Sequence, residues 1–334
     1  MTTSTIPFRQ LGKNGPRVSA IALGLMGMSG VYGQTDENES IATIHAALDA
    51  GINLLDTGDF YNMGHNEMLL GRALRQLGSA GRDKALLSVK FGAMRGPDGS
   101  WIGIDTRPAA VKNFLSYSLQ RLGVNHIDIY RPARLDPKVP IEETVGAIAE
   151  LIQAGYVRYV GLSEVGVETI RRAHAVHPIA DLQIEYAIVS RSPEAKIFPV
   201  LAELGIAVTA YGVLSRGLLS GSKLLEKDYR RHFPRFREGN YEQNQQLISE
   251  LQAFAASRGI TPTQLAIAWV LAKGESIIPV MGARRRTQLE ETLGALEIRL
   301  TPTDLAELEA RVPADQIAGT RYDERQMQAL DSEK

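Results

Sequence analysis

The chain has 334 residues, 44% hydrophobic and 22% charged, with a formal net charge of −1. That is the balance of a globular protein long enough to bury a large core, and it gives no global pull toward nucleic acid or an anionic membrane. Cysteine is absent, which excludes disulfides, cysteine nucleophiles and thiolate metal sites.

Residues 1–7 are short and polar and do not read as a secretory signal. No run of about 18 apolar residues predicts a membrane span, so the expectation is a cytoplasmic protein. Next come two short apolar runs, 8–12 and 18–21, around Lys13-Asn14-Gly15-Pro16. Asn-Gly between such runs predicts a hairpin. Beyond it, apolar runs alternate with amphipathic ones. Strands are predicted over 21–25, 52–55, 86–89, 126–129, 159–162, 181–184, 207–210 and 277–279. Helices are predicted over 39–50, 66–77, 108–122, 141–154, 168–175, 197–204, 247–258 with 262–271, and 287–293. Thr106-Arg107-Pro108 reads as a helix start, and Gly51, Gly155 and Gly205 as helix ends. Eight β-then-α units predict a closed (β/α)₈ barrel, one domain over 1–334 with an ordered core over about 6–320 and the hairpin across its bottom. The competing open, doubly wound sheet is disfavoured because no Gly-x-Gly-x-x-Gly follows the first strand.

The chemistry concentrates at strand ends. The run Leu54-Leu55 ends in Asp56, with Tyr61 five residues on; the run 85–89 ends in Lys90. At the C-terminal face of a barrel these three make a proton-donating phenol, because a nearby cation lowers a tyrosine's pKa and a carboxylate holds the cation in place.

The segment Leu55-Asp56-Thr57-Gly58-Asp59-Phe60-Tyr61, then Gly64-His65-Asn66-Glu67, then Leu70-Gly71, resembles the aldo-keto reductase signature. The resemblance covers nearly the whole chain, leaving out only the first few and last dozen residues. It implies NADPH-dependent reduction of an aldehyde or ketone, with Tyr61 as general acid, Lys90 lowering its pKa and Asp56 fixing Lys90. The family's usual fourth catalytic residue is a histidine after the fourth strand. In Asp128-Ile129-Tyr130-Arg131-Pro132-Ala133-Arg134-Leu135-Asp136-Pro137 that position is Ala133. Either three residues suffice, or Arg131 or Arg134 supplies the donor, or activity is weakened. The last option leaves open a cofactor-binding regulatory subunit of the same superfamily. His126, at a strand start, reads as structural.

The same resemblance implies the NADPH site. Ser163, Glu164 (where asparagine is usual) and Gln183 face the nicotinamide amide. Tyr211 stacks on the ring, and Gly212, Leu214, Ser215 and Arg216 cradle the pyrophosphate. Gly282, Arg284, Arg285, Gln288, Glu291 and Thr292 hold the adenosine end, and Gly27, Met28 and Asp56 join the cofactor-binding set. Three successive arginines, Arg284 to Arg286, favour the 2′-phosphate of NADPH, since cations at a helix start oppose its dipole unless an anion is near. The basic stretch 222–241 is either a solvated loop or a phosphate-facing lid. Met28, Tyr32, Phe60, Met94 and Trp101 are candidates to line an apolar substrate pocket. The expected partner is a small carbonyl compound, with no nucleic acid, membrane or metal.

Overall fold

The computed structural model describes residues 6–30, 33 and 35–334. Tyr32, proposed for the pocket, lies outside the described residues. In chain order the elements are β1 (Phe8–Gln10), β2 (Arg17–Ser19), β3 (Ala22–Gly24), α1 (Glu37–Asp49), β4 (Leu54–Gly58), α2 (His65–Lys84), β5 (Leu86–Phe91), β6 (Ala93–Arg95), β7 (Trp101–Ile104), α3 (Pro108–Leu122), β8 (Ile127–Pro132) and α4 (Ile141–Gln153). There follow β9 (Val157–Ser163), α5 (Val167–Val176), β10 (Ile179–Glu185), α6 (Pro193–Leu204), β11 (Ala207–Tyr211), α7 (Asn240–Ser257), α8 (Pro262–Ala272), β12 (Ile277–Gly282), α9 (Arg286–Gly294), α10 (Pro302–Arg311) and α11 (Glu324–Ala329).

Eight parallel strands close in the order β3-β4-β5-β8-β9-β10-β11-β12, with β12 pairing β3. The fold is the (β/α)₈ barrel. Its strands are buried on both faces, which is why they read as short continuous apolar runs rather than alternating ones. The helices start and stop where the chain says. Pro108 opens α3, and Gly123 closes it in the left-handed conformation.

The β1–β2 hairpin covers the N-terminal end of the barrel. Lys13 donates its N–H to the Gly205 carbonyl, and Arg9 donates to the carbonyls of Gly274 and Ile277. Leu11 and Val18 join Ala22, Leu54, Ile129, Ala207, Ile278 and Val280 in a small apolar cluster inside the barrel. Toward the C-terminal end the barrel interior turns polar, and that change positions the site.

Three elements lie outside the predicted set: the β6–β7 hairpin, α10 and α11. Signals for two of them are present in the sequence. Asp98-Gly99 sits between Ala93-Met94 and Trp101-Ile102, and Thr301 with Asp304 forms a capping box at the start of α10. Among the described residues no helix is long and apolar enough to cross a membrane, and no cluster of metal-ligating side chains occurs.

Candidate active site

The β4–β5 register places Asp56 beside Ser88 and Gly58 beside Lys90. The Lys90 ammonium donates to Asp56 Oδ1, while Ser88 and Gln183 donate to Asp56 Oδ2 at 2.8 and 2.9 Å. Both ions are buried. Burial works against the Asp56 charge, yet Lys90 and Arg131 hold its carboxyl below the usual range. Burial pushes Lys90 down, and Asp56 only partly restores it. Tyr61 follows in the turn after β4. Its ring centroid lies 5.2 Å from Lys90 Nζ, with Phe60 packed edge-on at 4.9 Å.

The rest of the signature segment holds this turn down. Asn66 accepts from the Thr57 hydroxyl at 2.6 Å and donates to the Leu25 carbonyl at 2.8 Å, tying the β4 end to the β3 loop. Buried Glu67 accepts from Arg121 of α3. Gly64 is left-handed, with φ of +87°, and a Cβ there would sit 2.7 Å from the Arg121 side chain, so glycine suits this turn. Asn66 and Glu67 are fully buried beneath the Tyr61 turn.

Below the pair, Arg131 is fully buried. It contacts Asp181 at 2.9 Å and donates to Thr209 and Ser88 at 3.1 and 3.0 Å. A Cβ at Gly161 would meet Asp181 at 2.8 Å and Arg131 Nε at 3.1 Å, so the glycine makes room for this bridge across the barrel. Arg131 is thereby committed to the interior. Ala133 is buried at the end of β8, its N–H donated to the Phe91 carbonyl at 2.8 Å. Arg134, half-buried, donates to the Ala133 carbonyl at 2.6 Å. His126 lies at the opposite end of β8, against Arg82 at 2.8 Å.

On the facing wall, Ser163 ends β9 and pairs in register with Gln183 of β10, and Tyr211 ends β11. Glu164, next to Ser163, has a left-handed backbone, with φ of +53°. Its carboxylate is ringed by protein donors. Oε1 accepts from Arg321 at 2.8 Å, Tyr211 at 2.7 Å and the Glu185 N–H at 3.0 Å. Oε2 accepts from Arg321 and Ser332, both at 2.6 Å. Against the cost of burial, Arg321 holds Glu164 at a pKa of about 2. Arg321 also meets Glu333 at 2.6 Å, and Asp331 accepts the N–H of Gly166 at 2.8 Å. The last stretch of chain is thus strapped across the barrel mouth. Tyr322 reaches the Tyr211 hydroxyl at 3.1 Å, and Arg216 stacks between Phe233 and Tyr322 at 4.2 and 4.7 Å.

The sequence profile of the Aldo/keto reductase family matches residues 20–312. This chain belongs to the aldo-keto reductase family. It is 39% identical to Probable aldo-keto reductase 1 of Glycine max over 330 residues, covering 96% of this chain and 93% of that one. Its fold is similar to a glycerol dehydrogenase from Gluconobacter oxydans, with TM-score 0.82, 30% identity and coverage of 94% and 97% of the two chains. The holo form of an aldo-keto reductase from Bacillus halodurans matches at TM-score 0.78 and 30% identity over 92% and 97%. Membership implies nicotinamide-dependent carbonyl chemistry in general.

In this aldo-keto reductase, Asp56, Lys90, Gln183 and the Tyr61 turn come together. Gly27 and Met28 are buried in the turn after β3, and Met28 is part of the core. The 212–217 loop is left-handed at Gly212, Ser215, Arg216 and Gly217. The 222–241 stretch buries Arg230 and Arg235 but leaves Lys223, Lys227, Arg231 and Arg237 exposed. Arg230 is held by Asp228 and the Lys223 carbonyl, and Arg235 by Ser190, Ser215 and the Val189 carbonyl. Of the three arginines after β12, Arg286 is taken by Glu39 at 3.0 Å. Arg285 is exposed and caps α9, and the Arg284 N–H is given to Gln288 at 2.9 Å. Glu291 accepts from Thr261 at 2.7 Å, and Thr292 is buried. Phe60 and Met94 are half-buried, while Trp101 stands 51% exposed on β7. Arg321, Ser332 and Glu333, which form the clasp over Glu164, carry no motif in the sequence. The only sequence signal for them is that a glutamate at a barrel strand end, once buried, requires a cation.

Proposed function

We propose that this protein, as a single barrel domain, reduces an aldehyde or ketone to an alcohol with NADPH, and that Tyr61 is the proton donor. The buried Asp56–Lys90 pair beside the Tyr61 ring carries this reading. The Tyr61 hydroxyl gives its proton to the carbonyl oxygen. The Lys90 charge eases formation of the phenolate, and Asp56 keeps that charge in place without water. Asp56, held by strands on three sides, does not reorganise during the step.

The chain's polar groups fit NADPH, which when bound supplies the hydride. Ser163 would hold the amide with Gln183, whose Nε2 is given to Asp56, leaving its carbonyl oxygen for the ligand. Tyr211 would stack on the ring, and Gly212, Leu214, Ser215 and Arg216 would face the pyrophosphate. Gly282, Arg284, Arg285, Gln288, Glu291 and Thr292 would line the adenosine end. Arg285, exposed at the N-terminus of a nine-residue helix, supports a 2′-phosphate there. Glu164 fits the amide only if one of its protein donors yields.

The test is cofactor oxidation across a panel of aldehydes and ketones, with NADPH and NADH side by side and binding of each measured separately. We expect turnover, a preference for NADPH, and a loss of about 10²–10⁴-fold in kcat for Tyr61→Phe with NADPH affinity near wild type. A Tyr61→Phe variant with wild-type kcat removes the assigned role. Tight NADPH binding without turnover favours a regulatory subunit, the reading that Ala133 leaves open.

A further inference from the structure

The charges around the barrel mouth are paired almost throughout. Lys90 meets Asp56, Arg131 meets Asp181, and Arg321 meets Glu164 and Glu333. Arg216 and Arg235 share Glu185 at 3.9 and 3.6 Å. Arg134 is the exception. Among the described residues no carboxylate lies within 4.0 Å of it, and its one hydrogen bond goes to the carbonyl of its own neighbour, Ala133.

Its position is central. It follows the end of β8, and β8 pairs with β5 so that Arg131 lies beside Lys90. Lys90 feels the Arg134 charge, and Arg134 in turn feels Tyr211, Tyr322, Glu164 and Arg321. Arg134, just past the strand end beside Lys90, is thus within electrostatic reach of both Lys90 and the group around Tyr211 and Glu164. The neighbouring Ala133 puts only a methyl group there. Against the cost of burial, Tyr211, Tyr322 and Glu164 favour its charge, yet among the described residues it has only the Ala133 carbonyl as a hydrogen-bond acceptor, and an oxyanion would meet its remaining N–H donors.

We infer that Arg134 is a specificity residue that receives an anionic group of the substrate, so that the preferred substrates are carbonyl compounds carrying a carboxylate or phosphate a few bonds from the carbonyl. This rests on the carbonyl-reductase reading above. Arg134 binds the oxyanion as a fork of two N–H donors and takes no part in hydride or proton transfer, so no extra reactant is required. Its guanidinium also keeps the charged end of the substrate apart from the Glu164 carboxylate.

The experiment compares kcat/KM for matched probes: succinic semialdehyde against its methyl ester, and glyceraldehyde 3-phosphate against glyceraldehyde. Wild type is expected to favour the charged member of at least one pair, and which pair tells carboxylate from phosphate. In Arg134→Met that charged-over-neutral ratio should fall about 10–100-fold, chiefly through KM, with partial recovery in Arg134→Lys. Added salt should erode the ratio in wild type only. Binding of the non-reacting succinate and succinamide, followed by calorimetry, gives a readout independent of turnover. Succinate binding that depends on Arg134 supports the assignment even if no probe turns over, an outcome that would count against the reductase reading alone. No charge preference in wild type, or equal losses on charged and neutral probes in Arg134→Met, overturns it.

Discussion

The Asp56 wall and the Glu164 wall of the barrel mouth each bury a carboxylate against a cation, but they secure it differently. Asp56 and Lys90 are 34 residues apart and sit on adjacent paired strands. Neither can leave without opening the barrel. Glu164 and Arg321 are 157 residues apart, and Arg321 comes from a terminal segment that contributes no strand. Glu164 itself rests on a left-handed residue just past the strand. The first wall is fixed by the fold. The second is fixed by a clasp whose release exposes only the last stretch of chain. Preorganised electrostatics demands the first kind of support, whereas the dinucleotide surface proposed for the second wall would be served by the second kind.

The largest effect that separates the two walls is expected from Lys90→Met. Turnover should fall about 10²–10⁴-fold, and stability by about 3–5 kcal/mol, because Asp56 is left buried with Arg131 as its remaining cation. Adding Asp56→Asn should recover much of the stability and none of the rate. Chemical denaturation alongside single-turnover kinetics measures both. Recovery of rate in the double variant would mean that the pair is structural and that Tyr61 needs no cation.

Arg321→Met should act on the other wall with a different signature. Glu164 would keep only neutral donors, but the terminal segment can detach and let water reach it. The stability loss should therefore be capped at about 1–3 kcal/mol, with cleavage by a protease near residues 318–334 appearing first. An intact tail and unchanged denaturation midpoint would dissolve the distinction between the walls. The pH dependence sharpens it. Glu164 titrates at about 2 against an ordinary 4.5, so its contribution is complete above pH 4.5 and is lost as pH falls toward 2. At roughly 1.4 kcal/mol per unit this amounts to about 3 kcal/mol. The destabilisation caused by Glu164→Gln should thus be full at pH 6 and shrink below pH 4. A difference that stays constant with pH would show that Arg321 does not act through the Glu164 charge.

The same contrast explains what was legible in the sequence. Asp56 and Lys90 announce themselves because each ends an apolar run, and the run fixes which barrel end they occupy. The predicted strands fall on the observed ones yet mostly stop short at their C-terminal ends: 52–55 against Leu54–Gly58, 126–129 against Ile127–Pro132, 181–184 against Ile179–Glu185. Asp56, Arg131 and Glu185 look like loop residues by hydropathy, but they sit inside the barrel, where ions replace the apolar filling. The Arg131–Asp181 bridge was illegible because its partners lie on non-adjacent strands and meet only on closure. The clasp was illegible because it lies in a terminal segment with little apolar periodicity and no motif, so only the closed fold shows what it touches.

The smallest effect concerns the seam between the walls. Ala133 matches the position where the family usually has histidine; it follows the β8 end that pairs with β5 and precedes Arg134. Ala133→His would place an imidazole where a buried methyl now sits, beside the Phe91 strand end that its N–H holds. If Tyr61, Lys90 and Asp56 suffice, wild type already reduces some carbonyls. The added ring then changes substrate range a few-fold, disfavouring bulkier carbonyls because the volume over Ala133 is lost. It should also lower affinity for charged probes if it crowds Arg134. The measurement is kcat/KM of both proteins on small and bulky aldehydes and ketones, with NADPH binding confirmed for each. An inert wild type that the histidine switches on would mean that the Asp56 wall, for all its rigidity, lacks a donor that neither Arg131 nor Arg134 replaces. The arrangement argues otherwise. Tyr61, the proposed proton donor, already has Lys90 beside its ring and the Asp56 carboxylate behind that cation, and in the proposed reading the alanine leaves room for a larger substrate.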